Sequence, residues 1–188
     1  MPDGVQEGIL KGIYPLRSSA SGEGRVQLLG SGTILREVLA AADLLKEDFS
    51  IEADVWSVTS YSELARDAAE AERWSMLHPG EDTRKSYLAR QLEDRSGPVV
   101  AASDYVRAQV DQIAPYLPGR QVRVLGTDGW GRSDTREKLR HFFEVDRFFV
   151  VVAALSALAE EGQVEATVVS EAIAKYNLDA EKPSPFSV

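Results

Sequence analysis

The sequence predicts an α/β protein built on a mostly parallel sheet, and three observations carry that expectation. Short apolar runs recur at residues 25–29, 53–58, 98–102 and 121–125. Amphipathic stretches with helix-start signals lie between them, and such alternation calls for crossover helices joining parallel strands. The length, 188 residues with 44% hydrophobic and 27% charged, suits one domain around one core.

The elements follow in order. Residues 1–24 carry Gly4, Gly8, Gly12, Gly22 and Gly24 with Pro2 and Pro15, a spacing poor for helix or sheet interior. They read as a linker or arm whose patch Ile9-Leu10 and Ile13-Tyr14 is free to dock, and residues 25–188 read as the domain. Val26 to Leu29 is a strand that runs into Gly30-Ser31-Gly32-Thr33. Leu35, Val38, Leu39, Ala42 and Leu45 then fall at helical spacing. Ala53 to Val58 is the next strand, and Ser60-Tyr61-Ser62-Glu63 forms a capping box for a helix reaching Leu77, stopped by His78-Pro79-Gly80. Pro98 to Ala102 is a strand, Tyr105 to Tyr116 a helix, and Gln121 to Leu125 a strand. A second capping box, Asp134 to Glu137, opens a helix through Phe143 with Asp134 as its cap. Asp146 caps a helix over 147–161 that Gly162 ends, and a last helix spans Thr167 to Tyr176 before a tail with Pro183 and Pro185.

Composition excludes several function classes. The chain has no cysteine, which removes disulfides, thiolate catalysis, zinc fingers and iron–sulfur ligation and fits a reducing compartment. Its formal charge of −9 argues against a nucleic-acid partner. The apolar stretch from Phe148 to Ala159 is shorter than the roughly 20 residues a spanning helix needs, so no membrane role is expected. The acidic start without an apolar core does not read as a signal peptide, and the expected compartment is the cytoplasm.

Candidate functional residues are few. Gly30 to Thr33 places backbone N–H groups at a helix start, a generic anion site, although a tight strand-to-helix turn explains the same glycines. The two histidines, His78 and His141, lie outside any metal-ligand spacing. Structural roles suit both, and His78, at a loop, is the better functional candidate. No GxSxG elbow supplies a nucleophile. The most distinctive stretch is Gly126 to Asp134, which leaves a strand's carboxyl end and carries Asp128, Trp130, Arg132 and Ser133 among three glycines. Ligands of open parallel sheets bind there, so the stretch reads equally as a site, an interface or a turn feeding a capped helix. His78, Asp128, Arg132 and Ser133 are the interface or ligand candidates. These residues leave open a self-standing small-molecule or anion-binding module using the Gly30 turn or the Gly126–Asp134 loop, and the resemblance that follows sets a structural assembly domain against it.

The strings ADVWSVTSYSELARD (53–67), ERWSMLHP (72–79), ASDYVR (102–107), RVLGTDGWGRSDTREKLRHFFEVD (123–146) and AIAKYNLD (172–179) resemble the homodimeric pyruvate dehydrogenase family, the decarboxylating first components of bacterial pyruvate dehydrogenase complexes. The segment GVQEGILKGIYPL (4–16) is similar to the join that follows that family's middle domain. The likeness reaches only the third, transketolase C-terminal-like domain. It implies a three-layer α/β sandwich around a mixed, mostly parallel five-stranded sheet, with a role in homodimer assembly and in supporting the other domains. In the family, the whole enzyme uses thiamin diphosphate and magnesium to decarboxylate pyruvate, and it acetylates the lipoyl domains of an acetyltransferase core. The family holds that cofactor with a GDG motif followed by Asn. Here Thr127-Asp128-Gly129 lacks the leading glycine, and the sole asparagine, Asn177, lies 49 positions beyond Asp128. The resemblance therefore carries over no catalytic, cofactor-binding or metal-binding residue, and this chain by itself is expected to hold no cofactor and to be inactive.

Overall fold

The computed structural model describes residues 3–19 and 25–187. In chain order the strands are β1 (Ile13–Arg17), β2 (Val26–Gly30), β3 (Ala53–Val58), β4 (Val99–Ala102) and β5 (Val122–Leu125). The helices are α1 (Gln6–Lys11), α2 (Leu35–Phe49), α3 (Tyr61–Leu77), α4 (Tyr87–Leu92), α5 (Arg107–Asp111), α6 (Arg136–Phe142), α7 (Arg147–Glu160) and α8 (Ala166–Lys175).

The five strands form one sheet in the order β1-β3-β2-β4-β5. β2 pairs in parallel with β3 (Val26 opposite Ala53) and with β4 (Gln27 opposite Val99), and β4 pairs in parallel with β5. β1 alone is antiparallel, with Ile13 opposite Val58. The sheet is thus mixed and mostly parallel, as expected. Alternate residues of each strand feed opposite faces. Leu28, Val55, Val100 and Ala102 pack with Val38 and Leu45 of α2 and with Val151 and Leu155 of α7. Leu29, Trp56, Val99 and Ala101 pack on the other face with Leu64 of α3, Leu88 of α4 and Val110 of α5. Three layers result.

Of the segment 1–24, read as a linker or arm with a patch able to dock, residues 3–19 are described, while residues 1–2 and 20–24 lie outside the described residues. Ile13 is fully buried, and the segment 13–17 adds an edge strand to β3. An edge position tolerates Pro15, which lacks the N–H that a central strand requires. Gly12 turns α1 into β1 at φ +100°, where a side chain would meet the Ser60 carbonyl.

Three local expectations also change. The helix over 105–116 is a single turn, α5, followed by a separate 3-10 turn at Ala114–Tyr116, because Pro115 has no N–H to continue the ladder. The helix α4 was not anticipated, although Ser86 at its start and Leu88 and Leu92 four apart are its signal. The Ser86 hydroxyl accepts from the Ala89 N–H at 3.1 Å. The cap of α6 is Thr135 and not Asp134, since Asp134 Oδ1 already accepts from the Thr135 N–H at 2.7 Å.

Candidate functional site

The chain passes from β2 to β3 on one side and later lays β4 on the other, so β2 and β4 flank the point where strand order reverses. Crevices outside the carboxyl ends of such a pair are the usual ligand position in open α/β sheets. Here the reversal point is closed. Ser31 and Ser103, both buried, share a hydroxyl–hydroxyl hydrogen bond at 2.8 Å, and the Ser31 N–H donates to the Ala102 carbonyl at 3.3 Å. Gly30 has to be glycine, because a Cβ there would sit 2.9 Å from the Leu35 Cα.

The Gly30 turn opens a 3-10 turn, Gly32–Ile34, that leads into α2. The Asp104 carboxylate lies across it, accepting from the Thr33 hydroxyl at 3.4 Å. A carboxylate at that place opposes a second anion, so the turn is better explained as the strand-to-helix connection.

Three loops meet at this edge of the sheet. Thr127 donates its N–H to the Tyr105 carbonyl at 2.9 Å and its hydroxyl to the Asp104 carbonyl at 2.7 Å. Gly129, at φ +91°, lies so close to the tail that a Cβ would come 2.1 Å from the Pro185 carbonyl oxygen. Two crevices form between the loops. One, of about 380 Å³, is lined by Thr33, Asp104, Thr127, Arg132 and Arg136 among others. The other, of about 430 Å³, is lined by Arg107, Asp128, Glu144 and Phe186 among others.

The sequence-predicted candidates separate here. Asp128 turns inward: its Oδ1 accepts from the Arg107 N–H at 3.3 Å, and its Oδ2 is buried without a partner. Arg132 is exposed, with its guanidinium 5.1 Å from the Phe142 ring centroid. Ser133 is exposed and lines neither crevice. His78 stands apart at the end of α3, where its Nδ1 lies 2.7 Å from the Trp74 carbonyl and its ring stacks on Trp74 at 4.3 Å. Sequence reasoning did not single out Asp104, Arg107 or Arg136. Asp104 follows β4 as Gly126 follows β5, and applying the carboxyl-end rule to every strand finds it. Phe186 carries no signal, because only the folded tail brings it to the edge.

A groove of about 1070 Å³ runs along α6 and the start of α7. Several of its charges are spent on the fold. Buried Glu37 of α2 accepts from Arg140 at 2.7 Å and from the Arg147 Nε at 2.9 Å. Burial pushes the Glu37 carboxyl up, but the Arg147 hydrogen bonds and charge, joined by Arg140, outweigh it and hold the group below the ordinary carboxylate range. The same hydrogen bond to Glu37 raises Arg147. His141 Nδ1 lies 2.9 Å from Asp146 Oδ2, while Asp146 Oδ1 accepts from the N–H groups of Phe148 and Phe149. Among the described residues, no group of three or more His, Cys, Asp or Glu is placed to hold a metal ion. The carboxyl edge carries exposed guanidinium groups and aromatic rings on interlocked loops.

The sequence matches the family model described as the transketolase-like TK C-terminal domain over residues 12–146. It is 58% identical, over its full length, to the "Pyruvate dehydrogenase E1 component" of Cupriavidus necator, of which it covers 21%. It is 53% identical to the protein of that name from Escherichia coli, with 98% of this chain and 21% of that protein aligned. This chain thus spans about a fifth of the length of these curated relatives. Among solved structures, transketolase from Leishmania mexicana superposes with a TM-score of 0.53 at 17% identity, covering 96% of this chain and 20% of that one. At that identity the likeness speaks for the fold.

Proposed function

The chain belongs to the family of transketolase-like C-terminal domains, and from that premise we propose that it is the structural and dimer-assembly domain of a thiamin-diphosphate-dependent pyruvate dehydrogenase. The observation that carries this reading is the 53–58% identity to pyruvate dehydrogenase E1 components that runs through nearly the whole chain. In this reading the complete homodimeric enzyme is cytoplasmic, decarboxylates pyruvate and passes the acetyl group to lipoyl domains of an acetyltransferase core. The cofactor, with magnesium, supplies the carbanion chemistry and is held by other domains of the same enzyme. This domain's share is mechanical. Its rigid sheet presents the loops at the carboxyl edge, among them Gly126–Asp134 with Arg132 and Ser133, to neighbouring domains. Among the described residues no helix is long and apolar enough to cross a membrane.

The test is a hybrid enzyme. In the Cupriavidus necator relative, the matching fifth is replaced by this chain, and dimerisation, pyruvate turnover and acetylation of a lipoyl domain are measured. Turnover within severalfold of the parent supports the reading. A folded hybrid that neither dimerises nor turns over pyruvate overturns it.

A further inference from the structure

The groove along α6 and the start of α7 keeps charged groups that the fold does not use. Asp146, buried as the cap of α7, sets the first of them in place. Its Oδ1 accepts two backbone N–H groups, and its Oδ2 lies 2.9 Å from His141 Nδ1. The carboxylate oxygen accepts there, so Nδ1 carries the ring hydrogen and Nε2 is the open nitrogen. His141 lines the groove with its side chain 45% exposed, and among the described residues Nε2 has no hydrogen-bond partner. A histidine oriented by a buried carboxylate, with its far nitrogen unoccupied, has the arrangement of a ligand-binding imidazole.

Cations surround it. Arg136 is exposed and makes no ion pair among the described residues. Arg147 gives Nε and Nη2 to Glu37 and leaves Nη1 without a partner among the described residues, with 44% of its side chain exposed. Lys182 uses two of its three donors, on the Phe142 carbonyl and on Glu144. Its ammonium lies 5.6 Å from the Phe149 ring centroid, and the His141 ring stands 5.5 Å from the same centroid. Lys138 meets only Asp134, at 3.8 Å. Of the three carboxylates that line the groove, Glu37 and Asp146 are occupied by their hydrogen bonds, and Glu137 alone is exposed. The groove is a locally positive place on a chain of formal charge −9.

We propose that this groove binds a small anion carrying a diphosphate group, with His141 Nε2, Arg136, Lys138 and Arg147 as its donors. The site adds a ligand to the assembly reading and does not depend on it. Guanidinium forks match phosphate oxygens, and hydrogen bonds between ionised partners are about twice as strong as neutral ones. Donors spread over α6 and the start of α7 suit a ligand charged at more than one point. The acidity of the whole chain disfavours a long phosphate backbone, so the ligand is a small molecule. On binding, Nε2 takes up a proton and donates, since both nitrogens of an imidazolium are donors. Lys138, Arg140, Arg147 and Lys182, the last paired with Glu144, oppose that proton. Asp146, Glu137 and the bound anion favour it, while Glu37 is already committed to its two arginines.

The chain holds two histidines, so proton NMR of the imidazole rings reads the site directly, with His78 at the end of α3 as the distant reference. Pyrophosphate and adenosine diphosphate are titrated at low salt without magnesium; the first isolates the diphosphate group, and the second adds an organic body. The expected result is a saturable, submillimolar shift of the His141 ring protons and a rise of about half a unit in its titration midpoint, with His78 unmoved. Arg136→Ala and Lys138→Glu should each weaken binding about fivefold, and Glu137→Gln should tighten it about twofold. Thermal unfolding confirms that each variant is folded. In calorimetry, His141→Gln should weaken the binding and remove its dependence on pH between about 6 and 8. Excess magnesium, which takes up the diphosphate charge, should abolish it. No saturable shift of His141 with either ligand overturns the proposal, as does a shift that His78 shares equally or an affinity that none of these substitutions changes.

Discussion

Glu37, in the first turn of α2, holds Arg147 at the start of α7 through three hydrogen bonds. Its carboxylate accepts from the Arg147 backbone N–H at 3.3 Å, from Nε at 2.9 Å and from Nη2 at 3.3 Å. The residues stand 110 positions apart, and Arg140 of α6 completes the bridge. Three helices on one face of the sheet are therefore pinned at a single carboxylate.

Glu37→Gln is expected to lower unfolding stability by about 2–3 kcal/mol. That is below the usual cost of breaking a fully buried pair, because Arg147 keeps solvent contact. The pH dependence has a definite sign. The folded carboxyl titrates below the ordinary value of 4.5, so its contribution is complete above that pH and lost as the pH falls through the folded value. Urea unfolding between pH 7 and pH 3 should show a steeper loss below about pH 4.5 for the native chain than for the variant.

Asp146 is expected to be the most valuable cap of the chain. It accepts from two N–H groups of α7 at 3.0 and 3.1 Å and also engages His141. Asp146→Ala should cost about 2 kcal/mol, the upper end for a cap. Thr135→Ala should cost about 0.5 kcal/mol, because its bond to the Lys138 N–H is long at 3.4 Å. Asp134→Ala, which removes an exposed bond to the next residue and an exposed 3.8 Å ion pair with Lys138, should cost less still. Chemical denaturation of the three variants checks the ranking, and a larger loss for Asp134→Ala than for Asp146→Ala would refute it.

The parts of this fold that were legible in the sequence are those written locally. β2 to β5 and helices α2, α3 and α7 show as apolar periodicity bounded by Ser60, Asp146 and Gly162, each within a few residues of the boundary it marks. β1 is held by pairing with β3 some 40 residues away, and its five residues, Pro15 included, carry no pattern of their own. The candidate site divides in the same way. Glycine density after a strand exposes Gly126–Asp134, whereas Asp104 and Phe186 become part of the edge only through tertiary contact. Nor does spacing reveal why polar Gln27 and Asp54 belong in buried strands.

Gly129→Ala is expected to free the tail. The position requires a left-handed backbone and leaves no room beside the Pro185 carbonyl. The variant should expose Ser184–Phe186 to carboxypeptidase and to faster amide exchange, with little effect on exchange in β2 and β4. An unchanged tail would show that the contact is dispensable.

Thiamin diphosphate with magnesium is expected to give no saturable heat on titration into this chain at micromolar concentrations. The warrant lies in the residues: Asp128 spends one oxygen on the Arg107 N–H and buries the other, and Asn177 stands far along the chain beyond α8. Saturable micromolar binding would assign the cofactor to this domain and displace the assembly reading.

Gln27→Leu is expected to destabilise the chain although it makes the central strand more apolar. Gln27 is fully buried; its Oε1 accepts from the Trp56 indole N–H at 2.9 Å, and its Nε2 donates to Asp54 Oδ2 at 3.2 Å and to the Ser96 carbonyl at 3.0 Å. Asp54 in turn accepts from the Ser19 N–H at 2.7 Å, and Arg95 reaches its other oxygen at 3.5 Å. The network ties the amino ends of β2 and β3 to the loops that precede β2 and β4. Leucine restores apolar contact at residue 27 but leaves the Trp56 N–H without its acceptor, and it strips Asp54 of one of its donors. An orphaned buried donor costs about 1–3 kcal/mol, and satisfied networks lose more than single bonds suggest. A net loss of about 2 kcal/mol is therefore expected. Trp56 reports on it directly, since its emission should change with the loss of the acceptor while Trp130, on the exposed edge, stays as it was. A variant as stable as the native chain would show that hydrophobic burial compensates fully and that the polar bonds serve only to fix which loops meet the sheet.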